Sequence, residues 1–135
     1  MAVTTDGKLY SWGAGENGRL GTNTMEDQLK PKLIEINWKP KVISCGSTVS
    51  CAISEQGHLY SWGHYMYNGL NKAEDTMKPT ILFPETLFEQ VEMGPGGYHV
   101  LALTSYGDLW SWGHNDVGQL GRQANEFTKL NDDSE

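Results

Sequence analysis

Short runs of alternating apolar and polar residues follow one another along the chain, separated by Gly, Pro, Asn and Asp. No long segment has the 3.6-residue period of an amphipathic helix, whereas runs of this length and composition are typical of strands. The pattern predicts an all-β protein of about ten strands, with helix nearly absent. In the first part of the chain the predicted strands lie at about 8–13, 32–36, 41–45 and 49–54.

The predicted strands have packing residues on both faces. Tyr10 and Trp12 share one face of the first strand, and Leu9 and Ser11 share the other. In the segment 49–54, apolar residues share one face and smaller residues the other, which suits a strand near the centre of a ring of sheets. Sheets that are stacked on both sides are therefore expected, not a sheet with one wet face.

A repeat organises these strands. The motif Gly-x-Leu-(Tyr/Trp)-Ser-Trp-Gly occurs three times, and Trp12, Trp62 and Trp112 follow one another at intervals of 50 residues. A period of this length is typical of propellers and solenoids. It divides the chain into the tail of a preceding repeat at 1–6, repeats at 7–55 and 56–105, a partial repeat at 106–121, and a divergent polar, acidic tail at 122–135.

Nine positions of the repeat are predicted to be structural. The first glycine of each motif suits a tight hairpin turn with positive φ, and the tryptophans are expected to be equivalent and buried between stacked sheets, not exposed as an aromatic ladder for ligands. The nine positions are Gly7, Trp12, Gly13, Gly57, Trp62, Gly63, Gly107, Trp112 and Gly113.

Further pieces recur in order after each motif: Gly-x-Leu-Gly at 18–21 and 118–121, loosely Asn-Gly-Leu-Asn at 68–71, then a proline, then Ala-Leu-Thr at 102–104. Together they resemble the regulator of chromosome condensation repeat family over residues 1 to about 121. Kelch repeats share the period, but their double glycine occurs here only at Gly96-Gly97. The resemblance implies a β-propeller of four-stranded blades. About 2.7 units cannot close a ring of roughly four to eight blades, so an incomplete ring is expected in this chain.

The resemblance also implies a function. Propellers of this family serve as non-catalytic scaffolds that dock protein partners through the loops between strands. The alternative it offers is a part of a guanine nucleotide exchange factor-like regulator of a Ran-type small GTPase. The residues responsible for exchange lie outside the repeat motif, so none is assigned to a position in this sequence.

The loop that differs most between copies is the candidate partner-binding site. His64, Tyr65, Met66, Tyr67 and Asn68 stand where the other copies have Ala-Gly-Glu-Asn-Gly and His-Asn-Asp-Val-Gly. Tyrosine and methionine are enriched at protein interfaces, which favours contact with a partner. Packing on the neighbouring blade is the other explanation of the same residues.

The formal net charge of −7 argues against nucleic acid binding, which requires clustered Lys and Arg. No apolar stretch is long enough to span a membrane, and the first residues lack the pattern of a secretory signal, so a cytoplasmic or nuclear location is expected. A protein surface is the better partner. An incomplete ring would also leave two apolar end faces, which we expect to associate with further copies or with the remainder of a longer propeller.

No constellation of residues indicates catalysis, a cofactor or a metal. Cys45 and Cys51 are interpreted as reduced core residues, and the four histidines lack metal-ligand spacing. Glu26-Asp27 and Glu74-Asp75, the nearest approach to paired carboxylates, are interpreted as surface loop residues. The sequence predicts that the chain is not an enzyme.

Overall fold

A computed structural model describes residues 1–121 and the backbone of a further strand at 127–129. Apart from two single turns of 3-10 helix, at Glu16–Gly18 and Pro95–Gly97, the regular structure of these residues is β, as predicted. The strands are β1 (Ala2–Val3), β2 (Leu9–Gly13), β3 (Gln28–Ile34), β4 (Pro40–Cys45), β5 (Val49–Ser54), β6 (Leu59–Gly63), β7 (Thr76–Leu82), β8 (Phe88–Met93), β9 (His99–Thr104), β10 (Leu109–Gly113) and β11 (Phe127–Lys129).

The strands form three antiparallel sheets in which sequential strands are neighbours. The orders are β1-β2-β3, β4-β5-β6-β7 and β8-β9-β10-β11, and we call these sheets the first, second and third blades. The fold is therefore of the β-propeller type, with two four-stranded blades and one three-stranded blade. Both β4 and β5 contact β8, so β4 and β8 lie at the edges where the two blades converge.

The blades are out of phase with the sequence repeats. The second blade takes β4 and β5 from the repeat at 7–55 and β6 and β7 from the repeat at 56–105. The reason is local: the turn between β5 and β6 is tight and keeps them in one sheet, while the link between β3 and β4 crosses to the next sheet. The strand predicted at 32–36 also lies earlier, at Gln28–Ile34.

The repeated glycines occupy equivalent backbone positions. Gly7, Gly57 and Gly107 have φ values of 83°, 96° and 88°. Each donates its N–H to the carbonyl of the residue three positions earlier, at 3.0, 2.9 and 3.1 Å. These tight turns suit glycine because a positive φ strains other residues.

Apolar side chains fill the two junctions between blades. The junction between the first and second blades has a small core of Leu9, Ile34, Ala52 and Trp62. The junction between the second and third blades has a larger one, of Val49, Cys51, Ile53, Leu59, Leu82, Phe88, Val91, Val100, Ala102 and Trp112. At both junctions the Leu-Ser face of one blade meets the aromatic face of the blade that follows it.

Two expectations about burial are wrong. Trp62 and Trp112 are fully buried, but 44% of Trp12 is exposed. Its face of β2 would meet a preceding blade, and no blade of the described structure covers it. Cys51 is buried as expected, whereas Cys45, at the end of the edge strand β4, is exposed.

The connections between strands lie at two opposite ends of the blades. The long-loop face carries the connections at 14–27, 46–48, 64–75 and 94–98 and the residues that follow β10, at 114–121. The short-turn face carries those at 4–8, 35–39, 55–58, 83–87 and 105–108. The turns of the short-turn face have at most five residues, so most of the irregular chain lies on the long-loop face.

Candidate partner-binding surface

The variable loop at 64–75 is held by Asn68. The Nδ2 of Asn68 donates to the carbonyl of Gly63 at 3.1 Å, and its Oδ1 accepts from the N–H of Leu70 at 2.9 Å. The Ser61 hydroxyl donates to the Asn68 carbonyl at 2.6 Å. Asn68 is fully buried, so we correct its assignment: it shapes the loop, and its side chain is not displayed to a partner.

The residues before Asn68 are displayed outward on a fixed backbone. Tyr65 is 42% exposed and Met66 is 59% exposed. The N–H of Tyr65 donates to Asp75 Oδ1 at 2.9 Å, and the N–H of Met66 donates to His64 Nδ1 at 3.2 Å. These bonds fix the backbone from which the two large side chains extend.

The rings of this loop join rings of the third blade. The centroid of His64 lies 5.0 Å from that of Tyr65 and 5.2 Å from that of Tyr67. Tyr67 in turn meets Tyr98 edge-on at 5.2 Å and His114 at 6.0 Å. We call His64, Tyr65, Met66, Tyr67, Tyr98 and His114 the aromatic loop patch. Tyr67 packs on the neighbouring blade, as the second explanation of the loop requires. Tyr65 and Met66 face outward, and their contact with a partner stays a prediction.

Tyr98 and His114 were not predicted as site residues. The sequence does place His114 at the repeat position of His64, one copy later, which could have indicated that the two residues lie on the same face. Tyr98 precedes β9 and accepts, through its carbonyl, the N–H of His114 at 2.7 Å. That pairing brings both residues to the long-loop face beside Tyr67.

Carboxylates border the patch. Asp116 Oδ2 lies 2.7 Å from His114 Nε2. Asp75 Oδ2 accepts from Asn17 Nδ2 of the first blade at 3.0 Å, in addition to its bond to the Tyr65 N–H. Asp27 makes the equivalent bond in the first blade, where the Gly15 N–H donates to its Oδ1 at 2.8 Å. Interpreted from the sequence as surface loop residues, Asp27 and Asp75 each also join the end of their loop to its start by accepting a backbone N–H.

The remaining candidate groups are not arranged for chemistry. Burial raises the pKa of the Cys51 thiol to about 12, against a smaller lowering by its hydrogen bond with Ser61, so the thiol is unreactive near neutral pH. Among the described residues, no three His, Cys, Asp or Glu side chains are grouped to hold a metal ion. In the same part of the chain, no helix is long and apolar enough to cross a membrane.

Comparison with known proteins identifies relatives of the whole described region. Residues 6–53 match the family model described as the regulator of chromosome condensation (RCC1) repeat, and residues 41–69 and 90–119 match a second model of the same description. The chain is 39% identical over 132 residues to the human E3 ubiquitin-protein ligase HERC2, covering 93% of this chain and 3% of HERC2. It is 36% identical over 124 residues to the ultraviolet-B receptor UVR8 of Arabidopsis thaliana, covering 89% of this chain and 28% of UVR8.

The fold has a close counterpart among solved structures. The crystal structure of Prp20p from Saccharomyces cerevisiae superposes with a TM-score of 0.80 at 28% identity, covering 96% of this chain and 35% of the Prp20p chain. The chain therefore spans at most about a third of each of these relatives.

Proposed function

Because the chain belongs to the regulator of chromosome condensation (RCC1) repeat family, we propose that it is a non-catalytic protein-interaction module that docks its partner through the aromatic loop patch. One observation carries the proposal: Tyr65, Met66 and Tyr98 are large, exposed and held on a hydrogen-bonded loop framework. Rigid aromatic side chains supply contact area at little entropic cost, and they are the usual anchors of protein interfaces. A cytoplasmic or nuclear setting fits such a module.

Site-specific crosslinking tests this proposal. A photoreactive phenylalanine analogue at position 65 should capture a protein partner in cells, and the same group at position 106 should not. Tyr106 is the matched control because it is 90% exposed and lies on the short-turn face. With the captured partner purified, Tyr65→Ser combined with Met66→Ser should weaken binding by roughly tenfold or more, since truncation of an anchor costs above about 1 kcal/mol. Equal binding by these variants and by Tyr106→Ser would contradict the proposal.

A second candidate is the exchange-factor alternative, a part of a regulator of a Ran-type small GTPase. The likeness to Prp20p supports it, since the structure of that protein was described with its binding to Gsp1p and histones. Release of a fluorescent guanine nucleotide from a Ran-type GTPase, with and without the chain, tests this candidate. An unchanged release rate at saturating chain concentration would reject it.

We further propose that another blade of the same repeat covers the exposed flank of the first blade, from a second copy or from the remainder of a longer propeller. The support is Trp12, whose counterparts Trp62 and Trp112 are each covered by the preceding blade. Light scattering after size exclusion should show association of the chain that Trp12→Glu abolishes. A monomer at all concentrations would reject self-association.

A further inference from the structure

The charge around the aromatic loop patch is predominantly negative. Among the described residues of the long-loop face, the acidic side chains are Glu16, Glu26, Asp27, Glu74, Asp75 and Asp116. The basic ones are Arg19 and Lys72. Arg19 is already engaged, since its guanidinium lies 3.5 Å from Glu16 and donates to the carbonyl of Ser47. Among the described residues of this face, Lys72 is then the one cationic side chain without a carboxylate contact.

Two of these carboxylates touch the patch directly. Asp116 contacts His114, and Asp75 is fixed against the backbone of Tyr65. Tyr98 packs edge-on against His114, the partner of Asp116, with centroids 6.3 Å apart. The side chains of Tyr65 and Tyr98 are each about two-fifths exposed. An exposed tyrosine ring beside a carboxylate suits a cationic side chain, whose stem covers the ring while its charged group reaches the carboxylate.

The rings do not form an enclosed cage. Tyr67, Tyr98 and His114 pack against one another with centroids 5.2, 6.0 and 6.3 Å apart, which leaves no space for a cation between them. Contact is available only on the outer faces of the patch, and a shallow surface holds an extended segment better than a small isolated cation.

From these contacts we propose that the aromatic loop patch takes a basic peptide segment, whose lysine or arginine side chains lie on Tyr65 and Tyr98 and pair with Asp116 and Asp75. The inference rests on the proposed docking function and names the chemistry of the partner. The same charge opposes a phosphate backbone or an anionic lipid surface, which require a basic patch.

Titration of the full 135-residue chain with synthetic peptides tests the inference. The probes are an alternating lysine-serine peptide and its glutamate-serine counterpart, and the readouts are the Kd and the ring resonances of the tyrosines. We expect the lysine peptide to bind and to shift the resonances of Tyr65 and Tyr98. Its Kd should rise about tenfold as salt is raised from about 0.05 M to about 0.5 M.

Matched variants localise the binding. Tyr65→Ala combined with Tyr98→Ala should weaken the lysine peptide by about tenfold, and Asp116→Asn by about threefold, as expected for cation–π and charge-pair contacts at a surface. Tyr106→Ala and Glu55→Gln, which alter an exposed tyrosine and an exposed carboxylate on the short-turn face, should leave the Kd unchanged.

Each other outcome overturns the inference. If only the glutamate peptide bound, the partner segment would be acidic and not basic, while docking at the patch would still stand. Lysine-peptide binding that the patch variants do not alter would show diffuse attraction to the net charge. Binding of neither peptide would reject a basic segment, and crosslinking at position 65 would then decide the docking function independently. Tighter binding of single-stranded DNA or of anionic vesicles than of the lysine peptide would assign the surface to another class of ligand.

Discussion

The two junctions between blades use equivalent loops but are held together differently. At the first junction, the Arg19 carbonyl accepts from Trp62 Nε1 at 3.1 Å and from the Ser50 hydroxyl at 2.8 Å. At the second junction, the equivalent Trp112 Nε1 is buried and has no hydrogen-bond partner among the described residues. The position of Ser50 is occupied there by Val100, which has no side-chain donor.

The second junction offsets this loss with apolar contact. Phe83 lies 4.7 Å from Trp110 and 5.6 Å from Trp112, centroid to centroid, within the larger of the two cores. The loop backbone also differs at the equivalent position, since Gly69 has a φ of 81° where Arg19 has a φ of −60°. The comparison teaches that one repeat scaffold can close a junction either with hydrogen bonds to a loop carbonyl or with a larger apolar core.

Removal of the indoles should give the largest effects. Trp62→Ala and Trp112→Ala should each lower the free energy of unfolding by about 3–5 kcal/mol, since both side chains are fully buried. Trp12→Ala should cost only about 1 kcal/mol, because its partly exposed ring loses less apolar contact. Equilibrium unfolding in urea measures all three. An equally large loss at Trp12 would show that its flank is covered in solution.

A smaller change separates the hydrogen bond from the packing. Trp62→Phe and Trp112→Phe remove similar volumes, but only the first removes a hydrogen bond. The loss for Trp62→Phe should therefore exceed that for Trp112→Phe by about 1 kcal/mol, the usual net value of such a bond. Equal losses in urea unfolding would mean that the bond to the Arg19 carbonyl adds nothing to the first junction.

The sequence predicted the strands, the glycine turns and the type of fold because each depends on local pattern and on its recurrence. It did not predict the phase of the blades, since a periodic pattern has no preferred origin and only the hydrogen bonding of β5 to β6 sets the boundary. It was wrong about Trp12 because burial of that ring depends on a neighbouring blade and not on its own strand.

The candidate site was only partly predictable for a similar reason. The variable loop drew attention to Tyr65 and Met66 by its departure from the repeat. Tyr98 joins them only through the packing of two blades, which no local pattern records. Asn68 shares the variable segment but faces inward, because its amide satisfies the backbone groups of Gly63 and Leu70.

The smallest predicted effect concerns the bond that crosses the first junction at the long-loop face. Asp75 closes its own loop as Asp27 does, but it also accepts from Asn17 Nδ2 of the preceding blade. Asp75→Ala should therefore destabilise the chain by about 0.5–1 kcal/mol more than Asp27→Ala. Asn17 has a φ of 63°, so Asn17→Gly removes the side chain without straining the backbone.

A double-mutant cycle of Asn17→Gly and Asp75→Ala isolates this bond. We expect a coupling energy of about 0.5–1 kcal/mol in urea unfolding, because the two side chains form a partly buried pair. Asn17→Gly with Asp27→Ala is the control cycle, and its coupling should be near zero since Asp27 closes its loop through Gly15. Equal coupling in both cycles would show that Asn17 stabilises its own loop and not the junction. The polar contribution to the first junction would then rest on the Arg19 carbonyl and its two donors.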